Sequence, residues 1–177
     1  MKLRKTEVHE IDRVMEILLD GKAALATLGI DQWQSEDYPA REIVAQDVRD
    51  GVSYVIEEDN GHLAATCMLS FSGEDDYDEI EGEWLTEGDS SNPAYAVVHR
   101  VAVAADSVGK GAARLMLGNA QNLAHEGGAQ SLRVDTHPGN VPMLSLLRSS
   151  GFTECGIIRI KHAGGLTPER VAFEKQL

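Results

Sequence analysis

The sequence is short of several things at once. It holds two cysteines, five prolines and only 5% aromatic residues in 177 positions. Cys67 and Cys155 form neither a C-x-x-C pair nor a metal-ligand spacing, which excludes a disulfide framework and a thiolate metal site. Both read as small buried apolar residues. No apolar run approaches the roughly 18 residues that a spanning helix needs. The basic start, Met1 to Lys5, is followed by Glu7, Glu10 and Asp12, which interrupt any signal h-region. A cytoplasmic protein without a membrane partner is therefore expected. Basic charge is also missing from the centre. Between Asp50 and His99, both included, there is no Lys or Arg but there are 13 carboxylates, whereas the remaining positions carry 16 of each sign. The whole net charge of −13 lies in that stretch. With a pI near 4.8, nucleic acid is excluded as a partner, because phosphate neutralisation needs clustered Lys and Arg.

What is present suits one domain over 1–177, a length able to bury a sizeable core. Leu3 to Thr6 reads as a short strand, and Val8, Ile11, Val14, Met15, Leu18 and Leu19 recur at helical spacing. Gly21 and Gly29 weaken the continuation of that helix. Pro39 can open a second helix that Gly51 ends. Ser53–Glu57 and Leu63–Phe71 read as strands joined at Asn60-Gly61, a type I′ hairpin signal. Residues 72–92 form a long acidic connection with Ile80, Trp84 and Leu85 as its anchors. Ala94–Val103 is a strand, Gly109–His125 a helix, Ser131–Thr136 a strand and Pro142–Ser150 a helix. Phe152–Ile160 and Arg170–Glu174 close the order as an antiparallel pair around Gly164-Gly165. This order predicts a mixed α/β (α+β) sheet with helices on both faces and a right-handed parallel crossover over 94–136.

Two segments carry the chemistry. The run from His99 to Leu117, H-R-V-A-V-A-A-D-S-V-G-K-G-A-A-R-L-M-L, feeds a strand into a Gly-bearing turn that opens a helix. Small residues let a backbone approach a phosphate, successive N–H groups point at it, and a helix N-terminus adds about half a positive charge. The turn is neither a Walker loop nor a Rossmann fingerprint, and no acidic metal ligand or adenine motif accompanies it. The second segment places Asn140, Met143, Leu147 and Gly151-Phe152 at fixed intervals after a strand. Together the two segments resemble the GNAT superfamily of N-acetyltransferases, whose pattern is Q/R-x-x-G-x-G/A at a helix start, then N-x-x-A/M-x-x-x-Y-x-x-x-G-F. Gly-Ile-Asp-Gln-Trp at 29–33 is similar to an uncharacterised bacterial subgroup.

The resemblance implies a mostly antiparallel sheet with one splayed parallel strand pair, and acetyl-CoA as co-substrate with no metal. It places Val101, Ala102 and Val103 on the splayed strand, whose backbone pairs with the pantetheine arm and polarises the thioester carbonyl. Val108, Gly109, Lys110, Gly111, Ala112 and Ala113 match the pyrophosphate loop, and Asn140 the residue that bonds the cofactor arm. Two positions depart. Val108 replaces a Gln or Arg, and Leu147 stands where many members carry the Tyr that protonates the departing thiolate. Homodimers through C-terminal strands are also implied.

A primary amine acceptor requires a base, since an alkyl ammonium titrates near pH 10. Asp135 and His99 are the candidates, with His137 a third that reads more readily as a loop residue. Trp33 and Tyr38 lie in the loop that covers the acceptor in this family, where aromatic walls suit an amine; Trp33 could equally cap the core. Met68 and Phe71 read as core, and Trp84 as a loop anchor. The acidic stretch is either a solvated face or an attractor of cationic acceptors, in which case Glu79, Glu81 and Glu83 matter. Two readings of function stand side by side: an acetyl-CoA-dependent N-acetyltransferase working in a ternary complex, and a non-catalytic acyl-CoA-binding sensor or interaction module.

Overall fold

A computed structural model describes residues 1–161 and 166–177. Eight strands, β1 (Lys2–Lys5), β2 (Ser53–Glu57), β3 (Leu63–Ser70), β4 (Ile80–Gly82), β5 (Tyr95–Val103), β6 (Ser131–Thr136), β7 (Thr153–Arg159) and β8 (Glu169–Gln176), form one sheet. Their order is β1-β2-β3-β5-β6-β8-β7-β4. All neighbours are antiparallel except β5 and β6, as the crossover expectation requires. Four helices accompany them: α1 (Ile11–Thr27), α2 (Arg41–Arg49), α3 (Ala112–Glu126) and α4 (Val141–Ser149).

The two faces of the sheet are covered by different helices. Neighbouring Val55 and Ile56 are both 0% exposed, yet they enter different clusters, because successive strand residues point to opposite faces. Val55 packs with Ile11, Val14, Ile17 and Leu18 of α1 and Val44 of α2. Ile56 packs with Met116, Leu117 and Ala120 of α3 and Leu144 and Leu147 of α4.

Several local readings change in three dimensions. Gly21 does not weaken α1, which runs unbroken to Thr27. A Cβ on Gly21 would stand 3.1 Å from both Ala102 and Trp33, so close packing outweighs the helix-propensity penalty. The hairpin at Asn60-Gly61 is not a two-residue turn. Gly61 takes φ 85° while Asn60 stays at negative φ and accepts from the His62 N–H at 2.9 Å, giving a longer loop. Phe71 is 41% exposed and lies over Gly127 instead of entering the core. Cys67 is buried, which pushes its thiol up to about 12, but Cys155 is only half-buried. The hairpin tip at Gly164-Gly165 lies outside the described residues.

The acidic connection is better organised than its pattern suggests. Ile80–Gly82 adds an outer strand, β4, against β7. Gly82 and Gly156 approach so closely that a Cβ on Gly82 would stand 2.0 Å from the Cys155 carbonyl oxygen. Behind it, Trp84 donates to the Tyr77 carbonyl at 2.9 Å. Arg133 sits over the rings of Tyr95 at 3.8 Å and Trp84 at 4.2 Å, and pairs with Glu174 at 3.1 Å. Both members of that pair are almost wholly buried, and Glu174 also accepts from Leu85, Thr86 and Ser131. A buried pair is tolerable when its remaining lone pairs are satisfied, as here. These contacts pin the 72–92 segment to the sheet and hold its residues at the site described next.

Candidate active site

β5 and β6 pair only from Tyr95–Val97 to Ser131–Arg133 and then part. On its other edge β5 stays with β3 through a bulge: His99 faces Met68 and Ala102 faces Thr66, so Arg100 and Val101 together oppose Cys67. Arg100 takes φ 53° there, a conformation few non-glycine residues adopt. A bulge re-aims the side chains around it. The resulting gap is a cavity of about 660 Å³ that reaches from Trp33 and Tyr38 on one side to Val108 and Ala113 on the other.

At the α3 end Val108 and Ala113 line the cavity, and the turn between them is backbone with little side chain. Gly109 and Gly111 have φ 81° and 85°, and beyond the adjacent residues no atom lies within 4 Å of where a Cβ would stand on either. Gly111 is the N-cap of α3, and no side chain caps that end. The first-turn N–H groups of a helix have no intrahelical acceptor, so this end offers unpartnered donors and the positive pole of the dipole. Ala112 is buried in the core and contributes main chain only, while Val108 is 70% exposed at the mouth. Lys110 leans towards Glu58, 3.7 Å from its Oε1. The helix itself starts at Ala112, three residues later than the sequence suggests. Open space at both glycines beside an uncapped helix start fits the diphosphate of an acyl-CoA.

Along β5, Ala102 faces α1 and is buried, whereas Val101 and Val103 pack partly against the α3 face. From Val98 onwards no ladder joins the β6-facing edge of β5, which fits a pantetheine arm lying as an added strand. Asn140 lines the cavity as the N-cap of α4: its oxygen accepts from Met143 N–H at 3.3 Å and its amide donates to Thr136 Oγ1 at 3.1 Å. Its oxygen therefore serves the helix start, and one of its two amide hydrogens is taken by Thr136 at the end of β6. Leu147 is 0% exposed and belongs to the core, so α4 presents no acid at that position.

The titratable groups meet at the opposite end. His99 Nε2 is 2.9 Å from Glu74 Oε2, and its Nδ1 is 3.8 Å from Asp135 Oδ1. Asp135 in turn accepts from the Tyr77 hydroxyl at 2.8 Å. Burial and the neighbouring Asp135 carboxylate hold the Tyr77 phenol well above its usual range, so it stays a donor. The hydrogen bond from His99 holds the Glu74 carboxyl below the usual carboxylate range, against the opposing effect of burial. Three of these groups, Glu74, His99 and Asp135, line the cavity. His137 stands apart: its Nδ1 accepts from Gly139 N–H at 2.9 Å and its Nε2 lies 3.6 Å from Asp31.

Trp33 and Tyr38 both reach the cavity, with ring centroids 6.0 Å apart. Trp33 adopts φ 68° and packs against the α1 cluster as well, so it both walls the site and caps the core. Lys22 fixes the loop by donating to the Ser35 and Tyr38 carbonyls, each at 2.8 Å. Tyr38 sits beside Arg100, which pairs with Asp47 at 2.5 Å. Burial raises the Tyr38 phenol even so. Of the acidic stretch only Glu74 lines the cavity; Glu81 pairs with Arg159 at the outer edge of the sheet.

Sequence reasoning found His99 and Asp135 but missed Glu74, Tyr77, Arg100 and Arg170. The last carries no local signal, since it follows Glu169 at the start of a strand, E-R-V-A-F. Among the described residues no helix is long and apolar enough to cross a membrane, and no three His, Cys, Asp or Glu side chains are arranged to hold a metal ion.

Comparison with known proteins agrees with this geometry. Residues 12–152 match the model of the acetyltransferase (GNAT) family. A GNAT-family acetyltransferase from Streptococcus agalactiae is 32% identical, with a TM-score of 0.85 over 99% of this chain and 95% of that one. A GNAT-family acetyltransferase from Listeria monocytogenes shares the fold at 19% identity, with a TM-score of 0.74 over 99% and 94% of the two chains. A ribosomal-protein-alanine N-acetyltransferase from Brucella melitensis shares it at 21% identity, with a TM-score of 0.67 over the full length of both. No curated protein matches the sequence significantly.

Proposed function

The chain belongs to the GNAT acetyltransferase family, and from that premise we propose that it moves an acetyl group from acetyl-CoA to a primary amine by direct attack in a ternary complex. One observation supports the reading above the others. The residues flanking a turn of main-chain donors, Val108 and Ala113, and a carboxylate–imidazole–carboxylate cluster line one and the same cavity. When bound, acetyl-CoA supplies the activated acetyl group. The backbone of Val108 to Ala113 holds its diphosphate, the free edge of β5 at Val101–Val103 holds the arm, and the second amide hydrogen of Asn140 is available to it.

The ammonium form of the acceptor has to lose a proton before it can attack. Asp135 and His99 serve as the base, directly or through one water, with Glu74 and Tyr77 fixing their orientation. Trp33 and Tyr38 wall the acceptor. Leu147 supplies no acid for the departing thiolate, but a thiol titrating near pH 8.5 leaves acceptably without one. The same leucine is the observation favouring the alternative, a binding module without turnover. Thiol release from acetyl-CoA, followed across primary amines, amino acids and peptides, separates the two. Acceptor-dependent release with an acetylated amine as product supports the enzyme. Tight CoA binding without release from any acceptor supports the module.

A further inference from the structure

We propose that the acceptor is a zwitterion, an amine that also carries a carboxylate, and that Arg170 binds its anionic end. The inference rests on the reading that Asp135 and His99 receive the amine, and it adds what must lie at the amine's other end. Arg170 lines the cavity, yet the residue is 7% exposed. Its Nη1 is fully engaged, donating to the Thr167 carbonyl at 2.6 Å and the Glu169 carbonyl at 2.8 Å. The guanidinium has five N–H donors, so three remain on Nη2 and Nε. They have no partner among the described residues, and no carboxylate among them lies within ion-pair distance of the group. A guanidinium held at one nitrogen, with its other donors unengaged among the described residues, suits a bidentate carboxylate.

Strand register places this cation beside the base. Asp135 faces Ala172 across the β6–β8 ladder, so Arg170, two residues before Ala172, is its diagonal neighbour on the same face. Such neighbours lie about 7–8 Å apart, close enough for one small molecule to span them. The cavity thus has a negative pole at Glu74 and Asp135 and a positive one at Arg170. Arg100, the other guanidinium lining it, is already paired with Asp47 and competes poorly for a ligand anion. Asp31 is a partial counter-charge: the Thr167 N–H and, more weakly, the nearby Arg170 hold its carboxyl below the usual range. Yet its Oδ2 is taken by the Thr167 N–H at 2.6 Å and hydroxyl at 2.8 Å, its Oδ1 lies 3.6 Å from His137 Nε2, and neither oxygen forms an ion pair with Arg170.

The experiment compares leucine, methionine and phenylalanine, each with its carboxamide and its decarboxylated amine, in the wild-type chain, Arg170→Gln and Arg170→Lys. The ratio of kcat/KM for acid over amide should be about 10–100 in the wild type, carried by KM, as expected for charge-assisted bonds. It should fall to about one in Arg170→Gln and keep an intermediate value in Arg170→Lys, whose point charge lacks the fork. A wild-type ratio near one, or a ratio that survives in Arg170→Gln, overturns the proposal, as does weakened CoA binding in that variant, which would assign Arg170 to the co-substrate. If Arg170→Gln fails to fold, the wild-type and Arg170→Lys ratios decide alone. If none of these compounds is acetylated, the transferase reading is judged separately, by thiol release across the wider range of amines and peptides. Calorimetric binding of the same acids and amides to the CoA complex then decides: acid preferred in the wild type supports the proposal, and equal or no binding refutes it.

Discussion

The two ends of the cavity are built by different means. At the α3 end the donors are main-chain groups, and the side chains contribute mainly by being absent, at Gly109 and Gly111. At the acceptor end the donors and acceptors are side chains from separated parts of the chain: Trp33, Glu74, His99, Asp135 and Arg170. A backbone cradle needs one short loop at one helix start, and it suits a ligand part shared by every reaction of the family. A side-chain cluster needs the whole sheet to assemble it, and each member can change without disturbing the others. Invariant chemistry therefore rests on local sequence, and selectivity on tertiary placement.

This contrast can be broken or sharpened by substitution. The largest effect is expected for Asp135→Asn, which keeps the shape and removes the carboxylate proposed as base: kcat/KM for the amine should fall about 10²–10⁴-fold in a steady-state thiol-release assay. Next, Gly111→Ala forces a Cβ into left-handed backbone, a strain of about 1–2 kcal/mol. CoA affinity measured calorimetrically should weaken about tenfold, with the acid-to-amide preference of the acceptor retained. If that preference changes as well, the two ends are not independent.

Glu74→Gln addresses the tether over the acceptor end, through pH. The folded Glu74 carboxyl lies below its unfolded value because His99 bonds it. Its stabilisation is thus complete above the ordinary carboxylate range and is lost as pH falls through the folded value. The variant should melt below the wild type at neutral pH, and the two melting curves should converge in acid. A gap that persists in acid would mean that Glu74 acts through packing. The smallest effect is expected from neutralising Glu79, Glu81 and Glu83 together. They sit on or beside β4, away from the cavity, so KM for any acceptor should stay within about twofold. A larger rise would restore the acidic stretch as an attractor of cations.

The fold and the cradle were legible for the reason the comparison gives. Strand alternation, the Gly-Lys-Gly turn and the Asn140 to Phe152 spacing are local signals, and each sits where the structure needs it. What escaped was tertiary. β4 has three residues inside an acidic run and exists because Gly82 meets Gly156. Gly21 reads as a helix breaker until Ala102 and Trp33 are seen against it. Glu74 is one carboxylate among many in its stretch, and only the fold brings it to 2.9 Å from His99. Arg170 looks like an ordinary strand-end cation until its burial is known.

The separation of the two ends is tested most directly by titrating CoA into Asp135→Asn while following amine-dependent thiol release in the same preparation. Wild-type CoA affinity with release reduced at least about a hundredfold is the expected result, since Asp135 lies apart from the residues proposed to hold the diphosphate. Equal losses of affinity and release would contradict it, and would make the cavity one coupled site.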